Sequence, residues 1–324
     1  MQPFKWINAN SVAEVKQIFA RQGDRARIFA GGSDLMTMLK ERLDTPELIV
    51  NIGNIAELNY IREEKGGVRI GAMTILADIA GHPVLSRKFT ALAQATEAVG
   101  SPQLRNMGSI GGNLCQRPRC WYFRGAFDCL RKGGTTCYAV NGENQYYHAI
   151  LEGADCFMVH PSDTAVALIA LDADIIIAGI KKDRGVKAEH FFIGPAESMA
   201  KENILEPGEF ITEIRIPGTE SDTRSIFLKN RLRGAWNFAL ASVAVRTALS
   251  NGVCRDARIA LGGIAPLPLR AQKAERALIG RKITPEVLQQ SAELATSGAK
   301  PLAMNGYKVD LTGALVKQAV LAII

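Results

Sequence analysis

The stretch Met107-Gly-Ser-Ile-Gly-Gly-Asn-Leu-Cys-Gln116 decides the reading of this chain. It is a glycine turn edged by polar groups, Arg105, Asn106, Ser109 and Asn113. A run of cysteines follows at once. Upstream, Ala30-Gly-Gly-Ser-Asp34 repeats the pattern after the short apolar run Arg27–Ala30. A strand that enters a Gly-Gly turn and leaves as a helix points backbone N–H groups at an anion with no Cβ in the way. Neither turn is a G-x-G-x-x-G fingerprint or a G-x-x-x-x-G-K-[ST] loop. By spacing alone, two such turns are compatible with phosphate contact and equally with tight turns.

Outward from the second turn, five of the six cysteines lie between 115 and 156, spaced Cys115-x4-Cys120-x8-Cys129-x7-Cys137-x18-Cys156. That is too local for a secreted disulfide framework. Structural zinc favours Cys-x2–4-Cys pairs, and only 115/120 comes close. Four thiolates held by loops suit a [4Fe–4S] cluster, which tolerates irregular spacing. Zinc stays open as the alternative. The segment is aromatic and irregular and reads as an insertion over 115–160. Trp121, Tyr122 and Phe123 read as hydrophobic cover for a loop without its own core, and His148 and His160 as hydrogen-bonded structural residues.

The flanking chain alternates helices and strands. Ser11 caps an amphipathic helix to Gln22, with Val12, Val15, Ile18 and Phe19 on one face. Ser33 or Asp34 caps a helix to Arg42. Leu48–Ile52 is a strand, 58–62 and 67–71 a hairpin, and helices begin at Thr74 and near 89. Periodicity resumes at Pro161, where Ser162 or Asp163 caps a helix. Strands follow at 173–178 and 209–216. The polar stretch Pro217–Arg224 marks a boundary between domains 1–218 and 219–324. Beyond it, strands at 225–231, 239–249 and 257–263 form an antiparallel sheet. Helices at 270–280, 285–298 and 310–322 pack on that sheet. The fold class is α+β in two parts, without internal repeats.

The chain has 324 residues, 47 % hydrophobic and 22 % charged, as expected for a globular protein with two cores. Its net charge is +7, but the basic residues are dispersed, which argues against nucleic-acid binding. No apolar run reaches the roughly 18 residues needed to span a bilayer, so no membrane insertion is expected. The N-terminus lacks the apolar stretch of a signal peptide, so a cytoplasmic location is expected.

Taken in order, Ala30-Gly-Gly-Ser-Asp-Leu35, Arg69-Ile-Gly-Ala-Met-Thr74, Arg105-Asn-Met-Gly-Ser-Ile-Gly-Gly-Asn113, Pro161-Ser-Asp163 and Leu261-Gly-Gly-Ile-Ala-Pro266 span nearly the whole chain. Together they resemble the FAD-binding medium subunit of the molybdenum hydroxylases, the xanthine dehydrogenase and aldehyde oxidoreductase family. The resemblance implies a two-lobed FAD-binding domain of the PCMH type, then a C-terminal sheet with packed helices. It implies that Phe29, Ala30, Gly31, Gly32, Ser33, Asp34 and Leu35 form the first FAD loop. Arg105, Ser109, Gly112 and Asn113 belong to the second. Asp163 is implied at the adenosine or ribityl hydroxyls, and Lys229 near the isoalloxazine, where a cation favours negative charge on the reduced ring. Cys115 is implied as a packing or flavin-contact residue, and Cys254 reads as buried.

The cysteine segment resembles a minority of the family that carries an extra [4Fe–4S] cluster: the FAD subunit of periplasmic-type aldehyde oxidoreductases and the 4-hydroxybenzoyl-CoA reductase beta subunit. On that resemblance the ligands are Cys120, Cys129, Cys137 and Cys156. The implied partners are a large molybdenum-cofactor subunit and a small [2Fe–2S] subunit. Electrons would pass from those clusters through FAD to a terminal acceptor such as NAD, a ferredoxin or a quinone. In the reductase type they would run towards molybdenum. A partner bearing a signal sequence would carry this chain to the periplasm. A stand-alone FAD oxidase of the vanillyl-alcohol type shares the FAD-binding fold and is the other alternative.

Overall fold

A computed structural model describes residues 1–324. The first lobe is a small parallel sheet of β1 (Lys5–Asn8), β2 (Ala26–Phe29) and β3 (Leu48–Asn51), with β3 in the middle. Helix Val12–Gln22 crosses from β1 to β2. The Ser11 hydroxyl accepts from the Glu14 N–H, and Gly23, at φ +51°, ends the helix. Val15 and Phe19 bury their side chains against Val50 and Ile52, as the 3.6-residue period requires.

The second lobe is a five-stranded antiparallel sheet: β4 (Ile61–Glu64), β5 (Gly67–Gly71), β6 (Asp174–Ala178), β7 (Arg184–Lys187) and β8 (Phe210–Pro217), in the order β4-β5-β8-β6-β7. Helices 76–81, 83–88 and 90–97 and the wholly buried helix Asp163–Ala170 cover it. Ser162 is the cap of the last helix, accepting from the Ala165 N–H, so Asp163 is free for another task.

The C-terminal sheet holds β9 (Thr223–Asn230), β10 (Ala241–Ser250), β11 (Val253–Gly262) and β12 (Leu269–Arg270), antiparallel in the order β12-β11-β10-β9. Its central strand β10 and the end of β11 are largely apolar on both faces because both faces are covered there. Ala241, Val243 and Val245 of β10 meet helices 272–278, 285–295 and 307–321. Ala244, one position out of phase, joins the core of the second lobe together with Ala260 of β11.

The cysteine segment has only the turn-length helix Trp121–Arg124, a 3₁₀ turn at Leu130–Lys132 and isolated bridges. It is tied down at three sides. The Asp34 carboxylate accepts from the Arg117 N–H and pairs with Arg119 and Arg124. Glu202 pairs with Arg117 and Arg131. From the C-terminal domain, the fully buried Lys308 donates to the carbonyls of His148 and Gly263, at 3.1 and 2.9 Å. Asn305 donates to the carbonyls of His148 and Ala149.

Candidate functional site: a cavity between two glycine turns

The two glycine turns touch. A Cβ built on Gly31 would stand 1.9 Å from the Met107 carbonyl oxygen and 3.1 Å from Gly108 Cα. Only glycine permits that approach. The second turn is docked on the extension of β5: the N–H groups of Ile110 and Gly111 donate to the Thr74 and Ala72 carbonyls, and Leu76 donates to Gly108. Gly32 adopts φ +69°, with Phe29 packed beneath it. None of Gly31, Gly32, Ser33 and Asp34 donates its backbone N–H to another group of the chain. Four consecutive free donors at a turn make an anion-binding nest.

These turns open on a cavity of about 770 Å³, within the range of small-molecule and cofactor sites. Ala30, Gly31, Gly32, Ser33, Asp34 and Leu35 line it from one side, and Ser109, Gly112, Asn113 and Cys115 from the other. Asp163 and Lys229 line it too. Two expected residues stand elsewhere. Phe29 turns from the cavity to pack edge-on against Trp6, at 5.0 Å between ring centroids, and supports Gly32 instead. Arg105 donates to the Val99 carbonyl at 2.9 Å and does not reach the cavity wall.

Asp34 was expected as a helix cap. It occupies the cap position, but its carboxylate makes no capping bond, being wholly engaged by the cysteine segment. Asn113 accepts at Oδ1 from Ser162 Oγ (2.6 Å) and Thr164 Oγ1 (2.7 Å), which ties the second turn to the start of helix 163–170. The Ser109 hydroxyl accepts from the Gly112 N–H and stabilises the short helix 110–114.

Asp163 and Lys229 form a salt bridge of 2.6 Å, their side chains 5 % and 4 % exposed. Burial raises the Asp163 pKa, and Lys229 opposes that shift. The ammonium also donates to the Ala98 carbonyl at 3.1 Å. Lys229 therefore arrives at the cavity with its charge already balanced. Several lining residues were not anticipated from sequence: Arg117 and Arg119 of the cysteine segment, Glu202, and Trp236, Asn237 and Phe238 of the loop after β9.

Cys120, Cys129 and Cys156 share one buried apolar cluster with Met38, Tyr122, Phe123 and Met158, and Cys137 packs against it. All six cysteines are free thiols. The Cys156 thiol hydrogen-bonds to Cys137, which lowers the Cys137 pKa to about 6 and raises that of Cys156. Burial pushes Cys120 up to about 11. His148 Nε2 lies 3.3 Å from Cys120 Sγ, and burial holds that imidazole neutral, with its pKa at about 4. No three Cys, His, Asp or Glu side chains gather closely enough to ligate a single metal ion. Cys115 faces the cavity rather than this cluster, and burial raises its pKa to about 12. Cys254 is buried in the C-terminal core and donates to the Asp256 carbonyl.

Residues 2–219 match the family described as the FAD-binding domain in molybdopterin dehydrogenase, and residues 227–323 match the CO dehydrogenase flavoprotein C-terminal domain. The chain belongs to the molybdopterin-dehydrogenase FAD-binding family. Similar proteins include the aldehyde oxidoreductase FAD-binding subunit PaoB of Escherichia coli (strain K12), 31 % identical over 96 % of this chain and 95 % of that one. The glyceraldehyde dehydrogenase medium chain of Sulfolobus acidocaldarius is 30 % identical over 92 % and 89 %. Among solved structures, a carbon monoxide dehydrogenase from Hydrogenophaga pseudoflava superposes with a TM-score of 0.80 at 29 % identity, covering 100 % of this chain and 98 % of that one. This family is one of FAD-binding subunits in molybdenum-dependent oxidoreductases that act as complexes. The mixed helix-and-sheet fold, an FAD-binding domain followed by a C-terminal antiparallel sheet, is that of the family. The site fits FAD: its nest of free N–H groups suits a diphosphate, and its volume suits a dinucleotide. No helix is long and apolar enough to cross a membrane.

Proposed function

We propose that this chain is the FAD- and [4Fe–4S]-carrying electron-transfer subunit of a molybdenum hydroxylase of the aldehyde or xanthine oxidoreductase type. It exchanges electrons between the [2Fe–2S] clusters of a small partner subunit and a terminal acceptor, while a large subunit holds the molybdenum cofactor and meets the substrate. FAD supplies the ability to take and give electrons singly or in pairs. The cluster supplies a second one-electron centre.

One observation carries this reading. The segment that holds the cysteines is also a wall of the flavin cavity. Cys115, Arg117 and Arg119 line the cavity, and Cys120, next in the chain, begins the buried cysteine cluster.

The donor set supports iron and sulfide. Three of the thiols share one buried apolar cluster and the fourth, of Cys137, packs against it, a soft set suited to iron–sulfur clusters or zinc. A single zinc ion draws its thiolates together around Zn–S bonds of about 2.3 Å. A [4Fe–4S] cluster instead takes one thiolate on each of its four irons. Cys120, Cys129, Cys137 and Cys156 would be those ligands. His148, as a neutral Nε2–H donor, would hydrogen-bond the Cys120 sulfur and orient it.

On the flavin side, the free N–H groups of residues 31–34 would bind the diphosphate. Ser109, Gly112 and Asn113 would bound the ribityl chain. Asp163 would act by holding Lys229 at the cavity wall. The domain division at 218/219 follows from the same reading.

The test is Cys137→Ser in the complex isolated without oxygen. Iron and the visible absorbance of the cluster should fall while flavin content stays. Unchanged iron content would contradict the ligand assignment.

A further inference from the structure

Arg119 belongs neither to the glycine turns nor to the thiol cluster. It belongs to the cysteine segment, yet it lines the flavin cavity beside Phe238, with its guanidinium 5.0 Å from that ring's centroid. Its Nη2 lies 2.9 Å from Asp34 Oδ1 and 3.4 Å from Gln116 Oε1. Its Nε is buried and has no partner in the chain, and Nη1 makes no hydrogen bond either.

The carboxylate that tethers it is oversubscribed. Asp34 Oδ1 also takes Arg124 at 2.9 Å, and Oδ2 takes the Arg117 N–H at 2.8 Å. Two guanidinium groups on one carboxylate leave a positive charge in excess. Glu41 pairs with Arg124 at 3.6 Å and acts on Arg119 only through its field, without a contact. The excess lies beside the nest of free N–H groups at residues 31–34. Burial lowers the Arg119 pKa, so the charge is held at a cost that a nearby anion would offset. Of the other cations of the wall, Lys229 is matched by Asp163, Arg27 by Asp44 and Lys201 by Glu206, while Arg117 shares Glu202 with Arg131 and points its guanidinium there rather than at the glycine turn.

We propose that Arg119 is a cofactor-binding residue whose guanidinium contacts the diphosphate of the bound dinucleotide, so that the cysteine segment itself contributes to FAD affinity. This rests on the FAD-binding reading of the cavity. Asp34 holds the guanidinium in position from the first glycine turn, and Phe238 supports its face. Loading of the flavin and ordering of the cysteine segment then become coupled through one side chain, each stabilising the other.

The test compares Arg119→Gln with Arg124→Gln in the full chain stripped of FAD, titrating each with FAD and with ADP. Arg124 shares Asp34 at the same distance but does not line the cavity. A charge-assisted hydrogen bond lost from Arg119 should weaken both FAD and ADP binding about tenfold or more. Arg124→Gln should stay within about twofold, and Arg119→Lys, which keeps the charge, should recover part of the loss. Equal losses in the Arg119→Gln and Arg124→Gln variants would overturn the proposal, because the effect would run through Asp34. Unchanged affinity in Arg119→Gln, or weaker FAD binding with unchanged ADP binding, would overturn it too. A wild-type chain that takes up no FAD would overturn the cofactor reading along with it.

Discussion

Asp163 and Lys229 face each other at 2.6 Å across the junction of the two domains, one at the start of a buried helix and the other on the edge strand β9. Both are almost fully buried, so neither charge is tolerable alone. Removing one partner of such a pair costs about 3–5 kcal/mol, while replacing both with apolar groups costs far less. Asp163→Asn should therefore lower the unfolding midpoint sharply, and the double change Asp163→Leu/Lys229→Met should recover most of it. Chemical unfolding of the three proteins checks this. A double variant as unstable as the single one would show that the charges themselves are required.

Gly31 is a second point of vulnerability. Its missing Cβ lets the first glycine turn lie against the Met107 carbonyl, where an added methyl carbon would stand 1.9 Å from the oxygen. Backbone, not a flexible side chain, blocks that space. Gly31→Ala should separate the turns and cost several kcal/mol, on the order of other severe overpacking changes. Flavin content should collapse with it. An alanine variant isolated with full flavin would contradict the contact.

These two features were legible in the sequence to different degrees. The Gly-Gly turns, the Ser11 cap and the buried run 163–170 are local signals. Local spacing carries them because a turn or helix is decided within a few residues. The role of Asp34 is not local. Its partners Arg117 and Arg124 lie 83 and 90 residues away, and no periodicity encodes that distance. Read locally, Asp34 is a good helix cap, but three donors from the cysteine segment outcompete the helix for it. Phe29 and Arg105 belong to the expected site only through the family resemblance. Strand alternation sends Phe29 to the other face, against Trp6. The Val99 carbonyl satisfies Arg105 before it reaches the cavity. The strands β1 and β7 leave little pattern in the sequence, being four residues long and largely unburied.

Asp34→Ala should free the cysteine segment from the first lobe. Arg117, Arg119 and Arg124 would lose their shared acceptor, and the one carboxylate left to Arg124 would be Glu41, at 3.6 Å, beside its bonds to the Pro118 and Arg117 carbonyls. Trypsin should then cut within 115–156 well before it cuts the remaining chain. Fragment masses from a timed digest measure it. Equal protection in wild type and variant would show that Glu202 and Lys308 alone hold the segment.

Lys308 gives a pH signature. Burial lowers its pKa from 10.5 to about 7, so between those values the unfolded chain binds more protons than the native one. Stability contributed by this group therefore rises with pH from about 7 towards 10, and the penalty is greatest below 7. Lys308→Met should flatten that slope. It should also cost stability at high pH, where the neutral amine still donates to the His148 and Gly263 carbonyls. Unfolding free energies at pH 6.5, 8 and 9.5, about one to two units apart, separate the two effects.

The proposed function puts a flavin and an iron–sulfur cluster side by side in one chain. Iron, acid-labile sulfide, zinc and FAD measured on the same anaerobically purified sample test it most directly. About four iron and four sulfide per FAD, with negligible zinc, are expected. A yellow protein with a full complement of FAD, no sulfide and about one zinc per chain would contradict it.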